Sequence, residues 1–316
     1  MTDNVSTVLS IIVVSFNTKE LTLACLRSIY EQTRDVEYEA IVVDNDSKDG
    51  TATAIAREFP QVRLLTLDRN LGFAAANNYA ARYATGQWLL LLNPDTLILD
   101  DAVGKMLAFA KDYEIRNASN GIFGGRTLDG NGRLDPTSVW GRPTLWSAFC
   151  MGFGLRRLFP KSTWFNTEAM PGWNRDTVRE VDIVTGCFLL MRRILWERMG
   201  GFDPAFFMYG EEADLCLRAR RYGVRCLLCP EAVIVHYGGA SAQTVPDKAI
   251  RLLKARVQLL RRHWSPASAW IGVTLLQLWT RLKSVELPLA SRANTSRGLR
   301  DPVWREVWER RTEWLT

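Results

Sequence analysis

The sequence predicts a doubly wound, mostly parallel α/β sheet with a C-terminal helical extension. Three observations carry that expectation. Residues 8–15 (VLSIIVVS), 39–44 (EAIVVD) and 88–92 (WLLLL) are near-continuous apolar runs, as in strands buried on both faces. Helix-period segments separate the strands, giving four β-α units in a row by residue 110. Each predicted strand of these units also ends in a polar turn.

In order, a helix over 18–31 follows the first strand, with Leu21, Leu23, Cys25, Leu26 and Ile29 at helical spacing. Residues 49–59 form a second helix, 62–67 a third strand, 72–83 an Ala-rich helix and 99–110 a fourth helix. Residues 117–179 are rich in Gly, Pro, Trp and Asn and read as a loop-rich excursion with short strands. Residues 181–191 (VDIVTGCFLLM) are apolar again, interrupted at Thr185-Gly186. A helix over 210–222 and strands over 224–228 and 232–236 follow. The tail reads as an amphipathic basic helix at 247–264, a more apolar one at 267–283 and a third at 302–314.

With 316 residues, 47% of them hydrophobic, the chain can bury a large core, and its composition excludes collagen-like or disordered classes. The six cysteines show no disulfide framework and the opening residues are polar, which together point to a reduced, cytosolic chain. Cys226 and Cys229 have C-x-x-C spacing without a second pair, so buried thiols are expected rather than zinc ligands. From Asp247 onward there are fourteen Lys or Arg against six Asp or Glu, and six of the twelve tryptophans. That mix suits an anionic membrane surface, or Leu252, Leu253, Val257, Leu259 and Leu260 pack on the main domain and leave the arginines as a solvated face; nothing in the chain matches a nucleic-acid motif. A homo-oligomer is compatible with the sequence.

In open α/β sheets, ligands bind beyond the carboxyl ends of the strands. Ser15-Phe16-Asn17, Asp44-Asn45-Asp46-Ser47, Asp68-Arg69-Asn70 and Asn93-Pro94-Asp95 all lie there. Asp44 and Asn45 are placed to bond a base or ribose, or to form an Asx turn. Asp95 either caps a turn or offers a hard oxygen ligand to Mg²⁺ or Mn²⁺. His236, closing the last strand, is either a hydrogen-bonded structural residue or a further ligand. Glu211, Glu212 and Asp214 crowd the start of one helix behind Tyr209-Gly210. They complement the helix dipole, with Asp214 free to pair with Arg218, or one of them acts as a general base.

In this order, Val14-Ser15-Phe16-Asn17, Val43-Asp44-Asn45-Asp46-Ser47, Asn70-Leu71-Gly72-Phe73-Ala74-Ala75-Ala76-Asn77, Asn93-Pro94-Asp95, Gly201-Phe202-Asp203 and Phe207-Met208-Tyr209-Gly210-Glu211-Glu212 resemble the family 2 glycosyltransferases of the GT-A fold. The likeness runs from residue 8 to about 264. Within the family, the stretch from Asn70 to Asn77 most resembles the branch that uses dTDP-L-rhamnose. The resemblance implies that Ser15, Phe16, Asn17, Asp44 and Asn45 frame the nucleoside. It sets Asn70, Gly72, Asn77 and Asn93 beside the diphosphate or sugar. Asp95 and His236 then hold the cation, Glu212 or its neighbour Glu211 is the base, and Gly186, Tyr209 and Asp214 lie on the acceptor side. Residues 1–245 become the GT-A domain, with a nucleotide-sugar-binding half at 8–115 and an acceptor-side half at 116–245, and 246–316 the basic tail. Two positions depart from the family pattern: Asn93 replaces the first Asp of Asp-x-Asp, and Glu212 replaces the Asp of Glu-Asp.

The expected activity is therefore a cation-dependent, inverting sugar transfer to a glycan or lipid-linked acceptor, at the inner face of the cytoplasmic membrane. A nucleotide-sugar-binding protein without turnover is one competitor. A nucleotidyltransferase or donor hydrolase is another, although no Gly-rich phosphate loop with Lys occurs.

Overall fold

A computed structural model describes residues 7–238, 244–285 and 302–316. The strands are β1 (Leu9–Ser15), β2 (Tyr38–Asp44), β3 (Arg63–Thr66), β4 (Trp88–Leu92), β5 (Thr96–Ile98), β6 (Gly121–Leu128), β7 (Val139–Trp140), β8 (Arg179–Val181), β9 (Ile183–Val184), β10 (Phe188–Arg192) and β11 (Arg225–His236). The helices are α1 (Lys19–Gln32), α2 (Thr51–Glu58), α3 (Gly72–Ala81), α4 (Ala102–Asn117), α5 (Leu145–Gly152), α6 (Leu155–Leu158), α7 (Arg193–Met199), α8 (Glu211–Arg221), α9 (Val245–His263), α10 (Pro266–Ser284), α11 (Pro302–Glu309) and α12 (Arg311–Leu315). The chain divides into two compact units, Met1–Gly141 with Trp173–Ser241, and Arg142–Gly172 with Ala242–Thr316. Residues 142–172, read from sequence as part of the acceptor-side half, thus group with the C-terminal helices.

The first unit is built on one sheet of order β3-β2-β1-β4-β10-β6-β11-β5, with β8 also paired to β11. β1 lies parallel to β2 and β4, while β10 runs antiparallel to both β4 and β6. All seven residues of β1 are buried. Leu9, Ile11 and Val13 join a core with Leu26 and Ile29 of α1, Ile55 of α2 and Met106 of α4, while the alternate residues turn to the other face.

Two departures from the sequence expectation concern β11 and β6. The strands foreseen at 224–228 and 232–236 are one strand, β11, with a register irregularity between Cys229 and Val233. The excursion after residue 117 contains β6, an eight-residue strand in the middle of the sheet. Its glycines disguise it: a Cβ on Gly124 would come 2.5 Å from Val184, and one on Gly125 2.4 Å from the carbonyl of Ala232. Glycine here is a packing requirement, not a turn signal. The six cysteines are free and buried, and burial raises the thiol pKa of Cys229.

In the second unit, α9 starts at a Thr244 cap and α10 at a Ser265 cap, each with a proline in its first turn. Ile250, Leu253, Val257 and Leu260 of α9 pack with Val273 and Leu276 of α10, Met151 of α5, and Val307 and Trp314. The apolar stripe of the basic helix is therefore occupied inside the unit. Glu168 is buried against Arg256 in a two-pronged ion pair at 2.6 and 2.8 Å. The guanidinium and its hydrogen bonds outweigh burial and pull the Glu168 carboxyl down to about 2. Among the described residues no helix is long and apolar enough to cross a membrane.

Candidate functional site

The site lies at the carboxyl ends of β1, β2 and β4. Parallel pairing of β1 with β2 and β4 brings their last residues to one edge. The turns there are stitched together. Asn17, at φ 52°, donates its amide to Ser47 Oγ at 3.0 Å and accepts from the Lys48 amide at 2.7 Å. Asn45 donates to Asn70 Oδ1 at 2.9 Å and accepts from the Leu71 amide at 2.9 Å, and Asn70 Oδ1 also takes the Gly72 amide at 2.8 Å. These amides hold the loop shape rather than facing outward. The Ser15 hydroxyl is likewise engaged inward, with Thr18 and Thr22, while Phe16 is half-buried.

Other groups are left open. Asp44 is buried, and its Oδ2 accepts the Ser47 amide at 3.3 Å, but its Oδ1 has no partner. Asn77 donates to the Phe73 carbonyl, and its buried Oδ1 also lacks one. Buried acceptors without donors are rare and unfavourable, so each marks a position where a ligand's O–H or N–H would be favoured.

Asp95 and His236 meet. β5 runs antiparallel to the end of β11, pairing Thr96 with His236, and the Tyr237 amide donates to the Asp95 carbonyl at 3.0 Å. This sets His236 Nε2 3.3 Å from Asp95 Oδ1 and 3.3 Å from Asn93 Nδ2. At this separation the carboxylate oxygen and the imidazole nitrogen could share one cation. An oxygen-and-imidazole donor pair suits Mn²⁺, and Mg²⁺ less well. Among the described residues no group of three or more His, Cys, Asp or Glu forms a complete cage. The pair would serve as a partial donor set, with phosphate oxygens and water filling the other positions.

Glu211 and Glu212 open α8 behind Tyr209 (φ 71°) and Gly210 (φ 87°), two left-handed residues that turn the chain into the helix. Both carboxyls are buried, with 4% and 8% of the residues exposed, and each keeps an Oε2 without a partner. Burial raises both pKa values, and for Glu211 the Glu212 charge adds to the rise. Asp214, fully buried, instead pairs with Arg218 at 2.7 Å, and Arg218 also donates to the carbonyls of Met199 and Gly201. It anchors α8 to the preceding loop.

Gly186 connects the two clusters. A Cβ there would lie 3.7 Å from Cβ of Glu212 and 3.4 Å from the Phe73 ring. The next residue, Cys187, accepts the Asn93 amide at 3.1 Å. The Asn93-Pro94-Asp95 turn and the start of α8 thus flank the same short segment.

Two contacts were not foreseen, although Phe73, Phe202 and Phe207 lie in the quoted motifs and only Asn78 does not. Asn78 and Phe202 exchange hydrogen bonds, side chain to backbone, at 2.7 and 2.9 Å. The Phe207 carbonyl accepts the Phe73 amide at 2.8 Å. The doubled Asn77-Asn78 after an alanine run, where helix formers are expected, was the available signal for the first. A carbonyl leaves no signal for the second. Phe207 explains Gly72, whose φ is 81° and whose Cβ would sit 2.3 Å from that carbonyl. Gly72→Ala is expected to destabilise the protein by about 1–3 kcal/mol, from strain of this kind. Chemical denaturation checks this; an unchanged midpoint would show that the junction is loose.

Comparisons with known proteins follow the same outline. A family model described as Glycosyl transferase family 2 matches residues 10–199. The O-antigen biosynthesis protein RfbC of Myxococcus xanthus is 29% identical over 246 residues, covering 75% of this chain but 18% of its own length. The chain thus spans less than a fifth of that protein. An N-acetylglucosaminyl-diphospho-decaprenol L-rhamnosyltransferase of Mycobacterium tuberculosis is 29% identical over 217 residues, 65% of this chain and 68% of that one. Rhamnosyltransferase WbbL of Escherichia coli is 30% identical over 202 residues, 60% of this chain and 70% of its own. Among solved structures, the mannosyltransferase PcManGT of Pyrobaculum calidifontis, in complex with GDP-Man and Mn²⁺, superposes with a TM-score of 0.54 at 20% identity, over 98% of this chain and 80% of that one. S. aureus TarS with UDP-GlcNAc gives 0.55 at 16% identity, over 95% and 79%. At such identities the structures speak to the fold alone, and the fold is GT-A.

Proposed function

The chain belongs to glycosyltransferase family 2, and from that premise we propose that it moves a sugar, with inversion, from a nucleoside-diphosphate donor to a hydroxyl of a glycan or lipid-linked acceptor. The observation that carries this reading is the juxtaposition around Thr185–Cys187: an Asp95–His236 pair on one side, and buried Glu212 with an unpartnered carboxylate oxygen on the other.

In this reading Asp44 and Asn77 use their open acceptor oxygens on the nucleoside and the sugar, and Asn17, Asn45 and Asn70 keep the donor loops in shape. Gly186 leaves room beside Glu212 for the acceptor, and Tyr209 and Asp214 hold α8 in register. Glu212 takes the proton from the acceptor hydroxyl as that oxygen attacks the anomeric carbon. The bond from that carbon to the diphosphate oxygen breaks, and the electron pair leaves with the diphosphate. Asp95 and His236 would hold a divalent cation, Mg²⁺ or Mn²⁺, which when bound offsets charge on the leaving diphosphate.

The donor we favour is dTDP-L-rhamnose, supported by the rhamnosyltransferase names of two relatives. The product would enter cell-envelope polysaccharide, with the acceptor presented at the inner face of the cytoplasmic membrane. A UDP- or GDP-sugar is the alternative, since the fold neighbours carry those nucleotides. Thermal shift against a panel of nucleotide sugars with Mn²⁺ or Mg²⁺ separates the two. The preferred donor at a hundredfold above its Kd should add about 2.7 kcal/mol of stability. Failure of every nucleotide sugar to raise the Tm would remove the donor site from the protein.

A further inference from the structure

Helix α5 is built inside out. Its small or flexible residues, Ser147, Ala148, Cys150, Met151 and Gly152, are buried. A Cβ on Gly152 would meet Leu275 of α10 at 3.1 Å, so this face is packed tightly. The large residues are on the other face: Trp146 is 44% exposed, Phe149 39% and Phe153, just past the helix, 52%. These three follow the i, i+3, i+7 spacing of one helix face. Leu158, Phe159 and Trp164 extend the apolar surface, at 69%, 48% and 77%. The rings are ordered against each other, with Phe149 stacked on Trp146 at 5.5 Å and Trp146 Nε1 bonded to the Trp164 carbonyl at 2.7 Å. A preformed cluster of this size left in water marks a surface that is covered in use.

The charges around it identify the cover. Between residues 142 and 172 the cations are Arg142, Arg156, Arg157, Lys161, and the one acid is Glu168, already neutralised in its buried pair with Arg256. Aromatic rings in a segment with a surplus of Arg and Lys over acids match the apolar boundary and the anionic headgroups of a bilayer. The apolar stripe of α9 is occupied by the unit's own core, and although the tail exposes aliphatic residues such as Leu252, Ile271 and Leu282, of its six tryptophans only Trp270 is exposed among the described residues.

We propose that the aromatic face of residues 146–164, not the basic tail, is the surface by which this chain docks on an anionic lipid bilayer. The inference deepens the lipid-linked acceptor of the proposed function, and rests on it for its purpose but not for its test.

The test is co-sedimentation of the full chain with phosphatidylcholine vesicles, with and without phosphatidylglycerol, in the absence of donor and acceptor. The parent should bind the anionic vesicles and be released by salt. Phe149→Ser with Phe153→Ser should weaken partitioning at least about tenfold at an unchanged Tm, as expected for losing two inserted rings. Arg157→Glu with Lys161→Glu should weaken binding to anionic vesicles selectively. Leu252→Ser with Trp270→Ser, in the tail, should bind as the parent does. Absence of binding to anionic vesicles overturns the proposal, and so does binding unaffected by the Phe149 and Phe153 changes. Concentration-dependent dimerisation abolished by those same changes, without vesicle binding, overturns it in favour of a second copy as occupant. Vesicle binding by a chain that transfers no sugar would sink the proposed activity and leave this surface intact.

Discussion

Glu212→Gln is expected to lower kcat by about 10²-fold or more, leave donor affinity nearly unchanged, and raise the melting temperature at neutral pH. Gln keeps the volume and hydrogen-bonding shape of the side chain but cannot accept a proton at the acceptor hydroxyl. The stability gain follows from burial. In the unfolded chain the Glu212 carboxyl titrates near its ordinary value, whereas in the fold burial raises its pKa. Stability is therefore lost as pH rises from the ordinary carboxylate value through the raised one, and a neutral amide does not lose it. Activity runs the other way, because the base must be ionised, so kcat of the parent should climb with pH through the raised pKa of the pair.

Glu211→Gln provides the comparison. It removes the carboxyl that the Glu212 charge pushes up, while the rise at Glu212 comes from burial, so the pH–rate profile should stay near the parent's with much of kcat retained. Steady-state kinetics across pH on both variants decides between them. Near-parental turnover in Glu212→Gln, with collapse in Glu211→Gln, would move the base to Glu211. Near-parental turnover in both would end the general-base reading of this helix.

The elements that chain-local chemistry determines were legible in the sequence. β1 and β4 are almost wholly apolar because both their faces are buried, and near-continuous runs such as VLSIIVVS and WLLLL carry that signal. β6 was not legible, because Gly124 and Gly125 resemble turn residues until Val184 and Ala232 are seen against them. α5 was hidden for a related reason: its aromatics face outward, so its apolar periodicity does not mark a core-facing stripe. At the site, the motif positions at the strand ends were legible, but the division of labour among them was not. Nothing local says that Asn45 and Asn70 bind each other, or that Ser15 turns to Thr22. The nearness of Asp95 to His236 depends on β5 pairing with β11 across more than a hundred residues, and such register is set by the whole sheet.

That long-range pairing sets up the second large effect. Asp95→Asn is expected to abolish the cation-dependent part of donor binding, at least about tenfold in affinity, the lower end of what even outer-shell changes cause at metal sites. Asn is nearly isosteric, and the Tyr237 amide bonds to the backbone carbonyl of residue 95, so the turn and the β5–β11 pairing should survive. What disappears is the negative charge 3.3 Å from the imidazole, and with Asn already at position 93, no acid remains in the Asn93-Pro94-Asp95 turn. Donor titration by calorimetry, with Mn²⁺ and then with chelator, reads this directly. The parent should bind more tightly with Mn²⁺, while the variant should show one weak affinity under both conditions. His236→Gln should give an intermediate result, because it removes the neutral ligand and leaves the charge. If Asp95→Asn binds donor like the parent both with and without cation, Asp95 is a turn residue held by its histidine neighbour. Charge on the leaving diphosphate would then have to be met by other groups of the chain.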